Sequence, residues 1–356
     1  MQNNNDNIFP ILRYYAAFCV MFLHFTGYMR IYVPDHAGSI GVLRSAVNFY
    51  QPTVVMFAIS GFLISASLER SDCNATLFIK KRFFRLYPEL WLSMAVYLLV
   101  LFLVIPGVFD ISILRWIITQ GIGIAATPSC MQKFATGSIN GPLWYITVLI
   151  QLYILVFLFK KMSKGSKSPL LYWLTCALLA FGNLAAHFLN PTLPSTGQKL
   201  LERCFIPYAI WFFIGVTFQT FRLYQKTKGI VTLAVLLVVH SMMRIFGILE
   251  FGYYTGLLSG MATASITVLF AHLSDKLLYK LRLKELSQKL RKADISYGLY
   301  LYHWLFLNLL IHFKLYERFH WIVCLGLFTI CTLIAAFVCQ MLMSEATKVL
   351  KTRGNS

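Results

Sequence analysis

Long apolar stretches, separated by short polar segments, follow one another along the whole chain. Residues 8–29 form the first of ten stretches that are long and apolar enough to cross a bilayer as a helix. The others lie near 53–68, 89–105, 143–159, 170–189, 205–221, 230–247, 253–273, 295–313 and 320–343. None alternates between apolar and polar residues as the strands of a membrane barrel do, so the pattern predicts helices.

A further apolar stretch, residues 111–126, is short. The distribution of Lys and Arg indicates whether it crosses the membrane. If it does not cross and the N-terminus is cytoplasmic, the inside segments hold 22 basic residues and the outside loops hold 8. If it crosses, residues 160–168 and 274–294 face outside with eleven basic residues, against the positive-inside rule. We therefore predict an all-α integral membrane protein with about ten transmembrane helices, both termini cytoplasmic, and a re-entrant or surface segment at 111–126.

The composition agrees with this class of protein. Of the 356 residues, 58% are hydrophobic and 13% charged, and no soluble domain is visible. We expect one polytopic membrane domain, residues 1–343, followed by a short basic cytoplasmic tail, residues 344–356. The net charge of +19 is what cytoplasmic loops of a membrane protein produce, so we expect no nucleic acid partner. Residues 274–294 show the spacing of an amphipathic helix on the cytoplasmic membrane surface.

An arginine and a histidine interrupt the first apolar stretch. Arg13 and His24 are eleven residues apart, so both project from one face of a helix, about 16 Å apart along its axis. Ionisable residues inside a membrane segment are costly and usually functional. One interpretation is a buried polar pair that only holds helices together. The other makes His24 a general base, because imidazole accepts a proton near neutral pH, and Arg13 a partner for an anionic group.

A basic cluster, KKRFFRLYP, occupies residues 80–88 at the predicted cytoplasmic end of the third apolar stretch. Arg82 and Arg85 are three residues apart and therefore face the same way on a helix. Guanidinium groups bind phosphate in a bidentate manner, which favours a phosphate-bearing ligand. The alternative is that these residues orient the helix and bind anionic lipid.

Two further motifs carry candidate residues. FAISGFLI, residues 57–64, places Ser60 and Gly61 midway along the second apolar stretch. Gly61 favours close approach of helices, whereas Ser60 as a nucleophile needs an adjacent base. SINGPLWYI, residues 138–146, predicts a turn, and its Trp144 is either an aromatic-belt anchor or a position where a sugar stacks.

A second buried histidine lies in the ninth apolar stretch. The motif ISYGLYLYHWLF, residues 295–306, places His303 in the middle of the membrane with Tyr300 close by. An ionisable residue at this depth is a functional candidate by default. The histidines nearer the helix ends are expected to be structural: His187, His240, His272, His312 and His320. No Cys/His cluster predicts a metal site.

In order and together, these motifs resemble the acyltransferase-3 family of bacterial integral membrane acyltransferases, of the polysaccharide O-acetyltransferase type. The resemblance covers most of the chain and rests on Arg13 and His24, on Ser60 and Gly61, on Arg82, Arg85 and Pro88, on the N-G-x-L-W turn that ends at Trp144, and on Tyr297, Tyr300 and His303. Two departures concern carboxylates. Many members carry Glu about a turn after the tryptophan, where this chain has residues 147–151 (TVLIQ), and an acidic residue before the first-helix Arg, where this chain has Ile11 and Leu12.

The resemblance implies transfer of an acyl group, most often acetyl from acetyl-CoA, to a hydroxyl of a surface polysaccharide such as O-antigen or capsule. It implies catalytic roles for His24 and Arg13, donor binding by Arg82 and Arg85, and substrate-binding or supporting roles for Ser60, Trp144, Tyr300 and His303. The expected partners are acetyl-CoA, a polysaccharide or lipid-linked glycan and the bilayer of the bacterial inner membrane, without a metal. Two alternatives are a transporter or flippase without acyl-transfer chemistry and a structural partner in a polysaccharide-assembly complex.

Overall fold

The structure is a computed structural model that describes residues 7–105, 107, 110–163, 165–225, 229–273, 282–292 and 294–353, the last eight of these by their backbone alone. The described residues are 80% helical, and no strand occurs among them. The predicted all-α class is therefore confirmed.

Helices cover all ten predicted apolar stretches, but those at 75–104 and 321–353 extend beyond theirs, and two more, at 37–48 and 195–202, lie in segments predicted as outside loops. In chain order they are α1 (Phe9–Tyr32), α2 (Ala37–Asn48), α3 (Pro52–Arg70), α4 (Ala75–Val104), α5 (Ser112–Gly121), α6 (Trp144–Met162), α7 (Pro169–Leu189), α8 (Ser195–Glu202), α9 (Ala209–Thr220), α10 (Gly229–Phe246), α11 (Leu257–Ala271), α12 (Leu283–Lys292), α13 (Ser296–His312), α14 (Leu315–Arg318) and α15 (Trp321–Arg353). Each of the ten predicted stretches contains one of them.

Several of these helices can span a bilayer. Within the described residues, seven helical segments are long and apolar enough to cross a membrane, and α9 and α11 are shorter apolar helices. The chain is therefore a multi-pass membrane protein, whereas ten crossings and two cytoplasmic ends stay predictions. Of the predicted surface helix at 274–294, α12 is described, and residues 274–281 and 293 lie outside the described residues. Helix α15 continues to Arg353, so the predicted tail begins as helix, and residues 354–356 also lie outside the described residues.

The chain divides into two compact units. The first comprises the described residues of Met1–Ala16, Phe49–Phe78 and Thr147–Lys292, and the second those of Ala17–Asn48, Ile79–Ile146 and Ala293–Ser356. Helix α1 begins in the first unit and ends in the second. Arg13 therefore belongs to the first unit and His24 to the second.

Helices α3 and α9 pack with their backbones in contact in the first unit. A Cβ atom on Gly61 would overlap the carbonyl oxygen of Phe212, and one on Gly215 would overlap the carbonyl oxygen of Ala58. Only a hydrogen atom fits at either position, which is how small residues bring membrane helices together. The interpretation of Gly61 as a helix-packing residue is therefore confirmed.

Helix α13 is central to the second unit, where it packs between α1 and α15. The buried core there joins Met21 and Phe25 of α1 to Leu307 and Leu310 of α13 and to Phe328 of α15. Close packing of such buried side chains supplies the dispersion attraction that holds helices together in lipid. This packing fixes the facing surfaces of α1 and α13.

Helix α5 is too short to cross the membrane. Its ten residues span about 15 Å, half of a 30 Å hydrocarbon core. Its C-terminal end lies deep, because the indole of Trp91 donates to the carbonyl of Gly121 (2.8 Å) and the hydroxyl of Tyr87 donates to that of Ile122 (3.0 Å). Trp91 lies about 20 Å along α4 from its C-terminal end. These contacts support the interpretation of residues 111–126 as re-entrant.

Candidate active site

His24 of α1 and His303 of α13 lie side by side in the second unit. Nδ1 of His24 is 2.9 Å from Nε2 of His303, and the two rings are nearly parallel, with an angle of 5° between their planes. His303 is fully buried, whereas His24 is partly exposed. The edge of Trp304 packs against His24, with ring centroids 5.1 Å apart. The structure thus joins two residues that the sequence singled out separately.

The hydrogen bonds of His303 define the tautomers of both rings. Its Nδ1 is 3.0 Å from the carbonyl oxygen of Leu299, which only accepts, so Nδ1 carries the proton. In the neutral ring, Nε2 of His303 then accepts the Nδ1–H of His24. The unprotonated nitrogen of His24 is consequently Nε2. The partners of the two rings assign these protons, and they leave Nε2 of His24 as a nitrogen that can accept a proton.

The N-G-x-L-W turn packs against the middle of α13, at the level of His303. Trp304 Nε1 donates to the carbonyl of Ser138 (3.1 Å), and the side-chain amide of Asn140 donates to the carbonyl of Leu301 (3.1 Å). A Cβ on Gly141 would lie 2.8 Å from the ring of Trp304, so this position requires glycine. The sequence predicted the turn, but it did not predict that the turn packs against the middle of α13.

Two predicted residues sit in or beside this turn. The hydroxyl of Tyr300, which is almost completely buried, donates to the carbonyl of Pro142. Trp144 is partly exposed and starts α6 directly after the turn, next to Tyr145, which in turn contacts the ring of Tyr300. Tyr300 is therefore a supporting residue that holds the turn on α13. An aromatic-belt anchor and a position where a sugar stacks both stay predictions for Trp144.

Arg44 is a residue near His24 that sequence analysis missed. It lies on α2, within a region interpreted as an outside loop. Its Nη1 donates to the carbonyl of Leu23 (2.6 Å) and is 3.5 Å from Oγ1 of Thr26, two residues that flank His24 on α1. The sequence does contain a feature that could have drawn attention to this residue, because Arg44 is the only Lys or Arg between residues 31 and 69. A single cation in so long an apolar region is a candidate for the same reason as Arg13.

Arg82 and Arg85 lie on the N-terminal half of α4, close to the start of α13. Arg85, with a side chain 45% exposed, pairs with Asp294 through Nη2 and Oδ2 at 3.2 Å. The other carboxylate oxygen of Asp294 accepts from the backbone N–H and the hydroxyl of Ser296, the first residue of α13. Arg82 is half-buried. Both arginines could hold an anionic group here, and at Arg85 that group would compete with Asp294.

The remaining predicted residues lie in the first unit. Arg13 is half-buried on α1, and Ser60 is half-buried on α3 beside the glycine that contacts α9. Neither belongs to the unit that contains His24 and His303. Catalytic or substrate-binding roles for Arg13 and Ser60 stay predictions.

Comparison with known proteins identifies the class of protein. A family model described as an acyltransferase domain matches residues 8–341, so the chain belongs to the acyltransferase-3 family and is a membrane acyltransferase. The chain is also similar to Nodulation protein 10 of Rhizobium leguminosarum bv. viciae, with 27% identity over 87% of this chain and 85% of that protein. No solved structure shows significant similarity. The family predicted from the five motifs is therefore confirmed.

Proposed function

We propose that the protein transfers an acetyl group from acetyl-CoA to a hydroxyl of a cell-surface polysaccharide or its lipid-linked precursor, in the bacterial inner membrane. The observation that carries this proposal is the His24–His303 pair, because its tautomers leave a basic nitrogen on a partly exposed ring. A base of this kind is what attack of a hydroxyl on a thioester requires. Arg13 is proposed as a further anion-binding residue, and Ser60 as a supporting residue.

The proposed reaction needs one base and two proton transfers. Nε2 of His24 takes the proton of the acceptor hydroxyl as its oxygen bonds to the thioester carbonyl carbon. The C–S bond then breaks, and the imidazolium of His24 returns the proton to the leaving thiolate, which releases free CoA. His303 holds the ring of His24 in the correct tautomer throughout, and Arg44 supplies positive charge near the developing oxyanion.

The separation of the two sites in the second unit favours a donor with a long arm. Asp294, which marks the position of Arg85, precedes His303 by nine residues, or about 14 Å along α13. Acetyl phosphate or an acyl adenylate carries its acyl group directly on a phosphate and could not reach both sites. Acetyl-CoA can, because its pantetheine arm separates the thioester from the phosphates.

Removal of both arginines is expected to weaken donor binding. Because each charge-assisted hydrogen bond contributes about 1.5–3 kcal/mol, Arg82→Ala with Arg85→Ala should raise KM for acetyl-CoA by about 10- to 100-fold or more, with KM for the acceptor unchanged. The measurement is steady-state transfer from labelled acetyl-CoA in membranes. Lys80→Ala with Lys81→Ala removes the same charge from exposed positions of the same helix and should change KM less than threefold.

Asp294→Asn is a second test of donor binding by Arg85. Asparagine keeps an acceptor for the backbone N–H of Ser296 but no longer holds Arg85 as a charged pair, so KM for acetyl-CoA should stay the same or fall. Equal effects of the arginine and lysine pairs would show that only general surface charge matters. The arginines would then have no specific role in donor binding.

Replacement of His303 tests its positioning role. His303→Leu removes the acceptor for the Nδ1–H of His24 and should lower kcat by about 10- to 1,000-fold, with both KM values nearly unchanged. His303→Gln keeps an acceptor and should recover part of this loss. His312→Leu, on the same helix but exposed, is the matched control. Equal rates for the Leu and Gln variants would mean that His303 acts only through packing.

Release of free CoA distinguishes acyl transfer from transport of an acyl donor. Membranes that contain the wild-type protein should release free CoA in step with the appearance of acetyl label in polysaccharide. A transporter or flippase of an acyl donor would move label without release of CoA. Label in polysaccharide with no CoA released would therefore reject the proposed chemistry.

A further inference from the structure

A cavity of about 460 Å³ opens at one end of the first unit. It is formed by the C-terminal end of α7, by α8 and by the loop between α10 and α11. Its volume lies within the range of small-molecule sites in proteins. In the predicted topology, residues 190–204 and 248–252 are outside loops, so the cavity would face the cell exterior.

The lining of this outer cavity combines hydrogen-bonding groups with aromatic rings. Its residues include Asn190 and Gln198, which carry amides, Glu202, which carries a carboxylate, and Tyr253 and Tyr254, which carry aromatic rings. Amides both donate and accept hydrogen bonds, as sugar hydroxyls do, and a carboxylate accepts two of them. Tyrosine rings present apolar faces on which the C–H face of a sugar ring can lie.

The charge of the lining argues against an anionic ligand. The whole chain carries +19, yet the cavity is lined by one lysine, Lys199, and one glutamate, Glu202. A nucleotide, coenzyme or acidic lipid headgroup is bound by an excess of Arg and Lys. One charge of each sign suits a neutral, polyhydroxylated ligand, for which the two groups act as hydrogen-bond partners.

The outer cavity is held in one shape by a fully buried residue of α7. The amide of Asn183 donates to the carbonyls of Pro207 (2.7 Å) and Tyr253 (3.3 Å) and accepts from the backbone N–H of Tyr253 (3.2 Å). Next to it, Gly252 has a φ of +152°, and a Cβ there would lie 2.6 Å from the carbonyl of Thr255. A ligand therefore does not have to order these walls, which lowers the entropic cost of binding.

We propose that this cavity binds a neutral sugar residue of the saccharide that accepts the acyl group, with its ring against Tyr253 and Tyr254 and its hydroxyls bonded to Asn190, Gln198 and Glu202. The proposal rests on the proposed acyl transfer to a saccharide. It adds to that function a recognition site in the unit that does not contain the histidine pair. It also makes these residues the determinants of which saccharide is acylated.

Binding is tested on the full-length protein in detergent, with an array of neutral and acidic bacterial saccharides as the probe. We expect wild type to bind neutral saccharides, and Gln198→Ala and Glu202→Gln each to raise Kd by about five- to tenfold, the effect of one hydrogen bond. Tyr254→Ala should weaken binding similarly, and Tyr254→Phe, which keeps the ring, should not. Gln132→Ala, at an exposed position of the second unit, should leave Kd unchanged.

Transfer kinetics separate failure of this inference from failure of the proposed function. With a saccharide found on the array as acceptor, the same variants should raise KM for that saccharide, with kcat and KM for acetyl-CoA within twofold. Wild-type transfer with no change in acceptor KM in any cavity variant would overturn the site and leave the acyltransferase standing. Binding of no saccharide, or of acidic ones alone, would also overturn it. Saccharide binding that the variants weaken, without transfer, would keep the site and reject the proposed donor or reaction.

Discussion

His24→Ala should lower the rate of acetyl transfer by about 10² to 10⁴-fold, the usual contribution of a general base. The loss should fall on kcat, because in the proposed mechanism Nε2 of His24 contacts the hydroxyl proton only as the new bond forms. The measurement is transfer from labelled acetyl-CoA, followed to completion and normalised to folded protein. The residual rate should increase with pH without reaching a plateau, because hydroxide then replaces the missing base.

The matched control for this substitution is His320→Ala, which removes an exposed histidine at the start of α15. It should leave the rate within twofold of wild type. Size-exclusion profiles of both variants should match that of wild type, which shows that any loss of transfer is not a loss of folded protein. Transfer by His24→Ala at more than a third of the wild-type rate would remove this residue from the mechanism.

Gly61→Ala should destabilise the protein by about 3 kcal/mol or more, at the upper end of overpacking substitutions. The added methyl would overlap the carbonyl oxygen of Phe212, a backbone atom of α9 that cannot move without shifting the whole helix. Gly215→Ala should have a similar effect from the other side of the contact. The measurement is the thermal unfolding midpoint in detergent, together with the yield of monodisperse protein.

Gly41→Ala is the control for the glycine variants, because nothing lies within 4 Å of the position of its Cβ atom on α2. Alanine in a helix is favoured over glycine by up to about 1 kcal/mol, so this variant should be as stable as wild type or slightly more stable. A Gly61→Ala variant with an unchanged midpoint would show that α3 and α9 are not in backbone contact.

The apolar pattern was enough to predict the ten apolar helices and to single out the two histidines. Each of the ten stretches is long, and an ionisable residue within one is conspicuous because of its cost in hydrocarbon. The contact between His24 and His303 was beyond the same reasoning, since 279 residues separate them. It depends on how α1 packs against α13, and that packing is decided by the shapes of Met21, Phe25 and Leu307, which periodicity does not encode.

Irregular segments were harder to predict. Asn, Gly and Pro predict the turn before Trp144. The position of this turn along α13 depends on Trp304 and Asn308, which belong to a distant part of the sequence. Arg44 was assigned to a loop because residues 30–52 lie between two apolar stretches that are long enough to cross a bilayer. No sequence motif predicts the outer cavity, because its walls come from three separate segments and none of their residues is unusual by itself.

The turn before Trp144 also constrains the order in which the chain can be assembled in the membrane. The carbonyls of Ser138 and Ile139 receive hydrogen bonds from Trp304 and Asn308, which the ribosome adds about 170 residues later. A peptide carbonyl without a partner in hydrocarbon costs several kcal/mol, so this backbone has no reason to settle at its final depth while α13 is absent. The early helices can insert one by one, but we expect the turn to reach its final depth only once α13 is present. The proposed catalytic centre is then completed only after α13 has left the translocon.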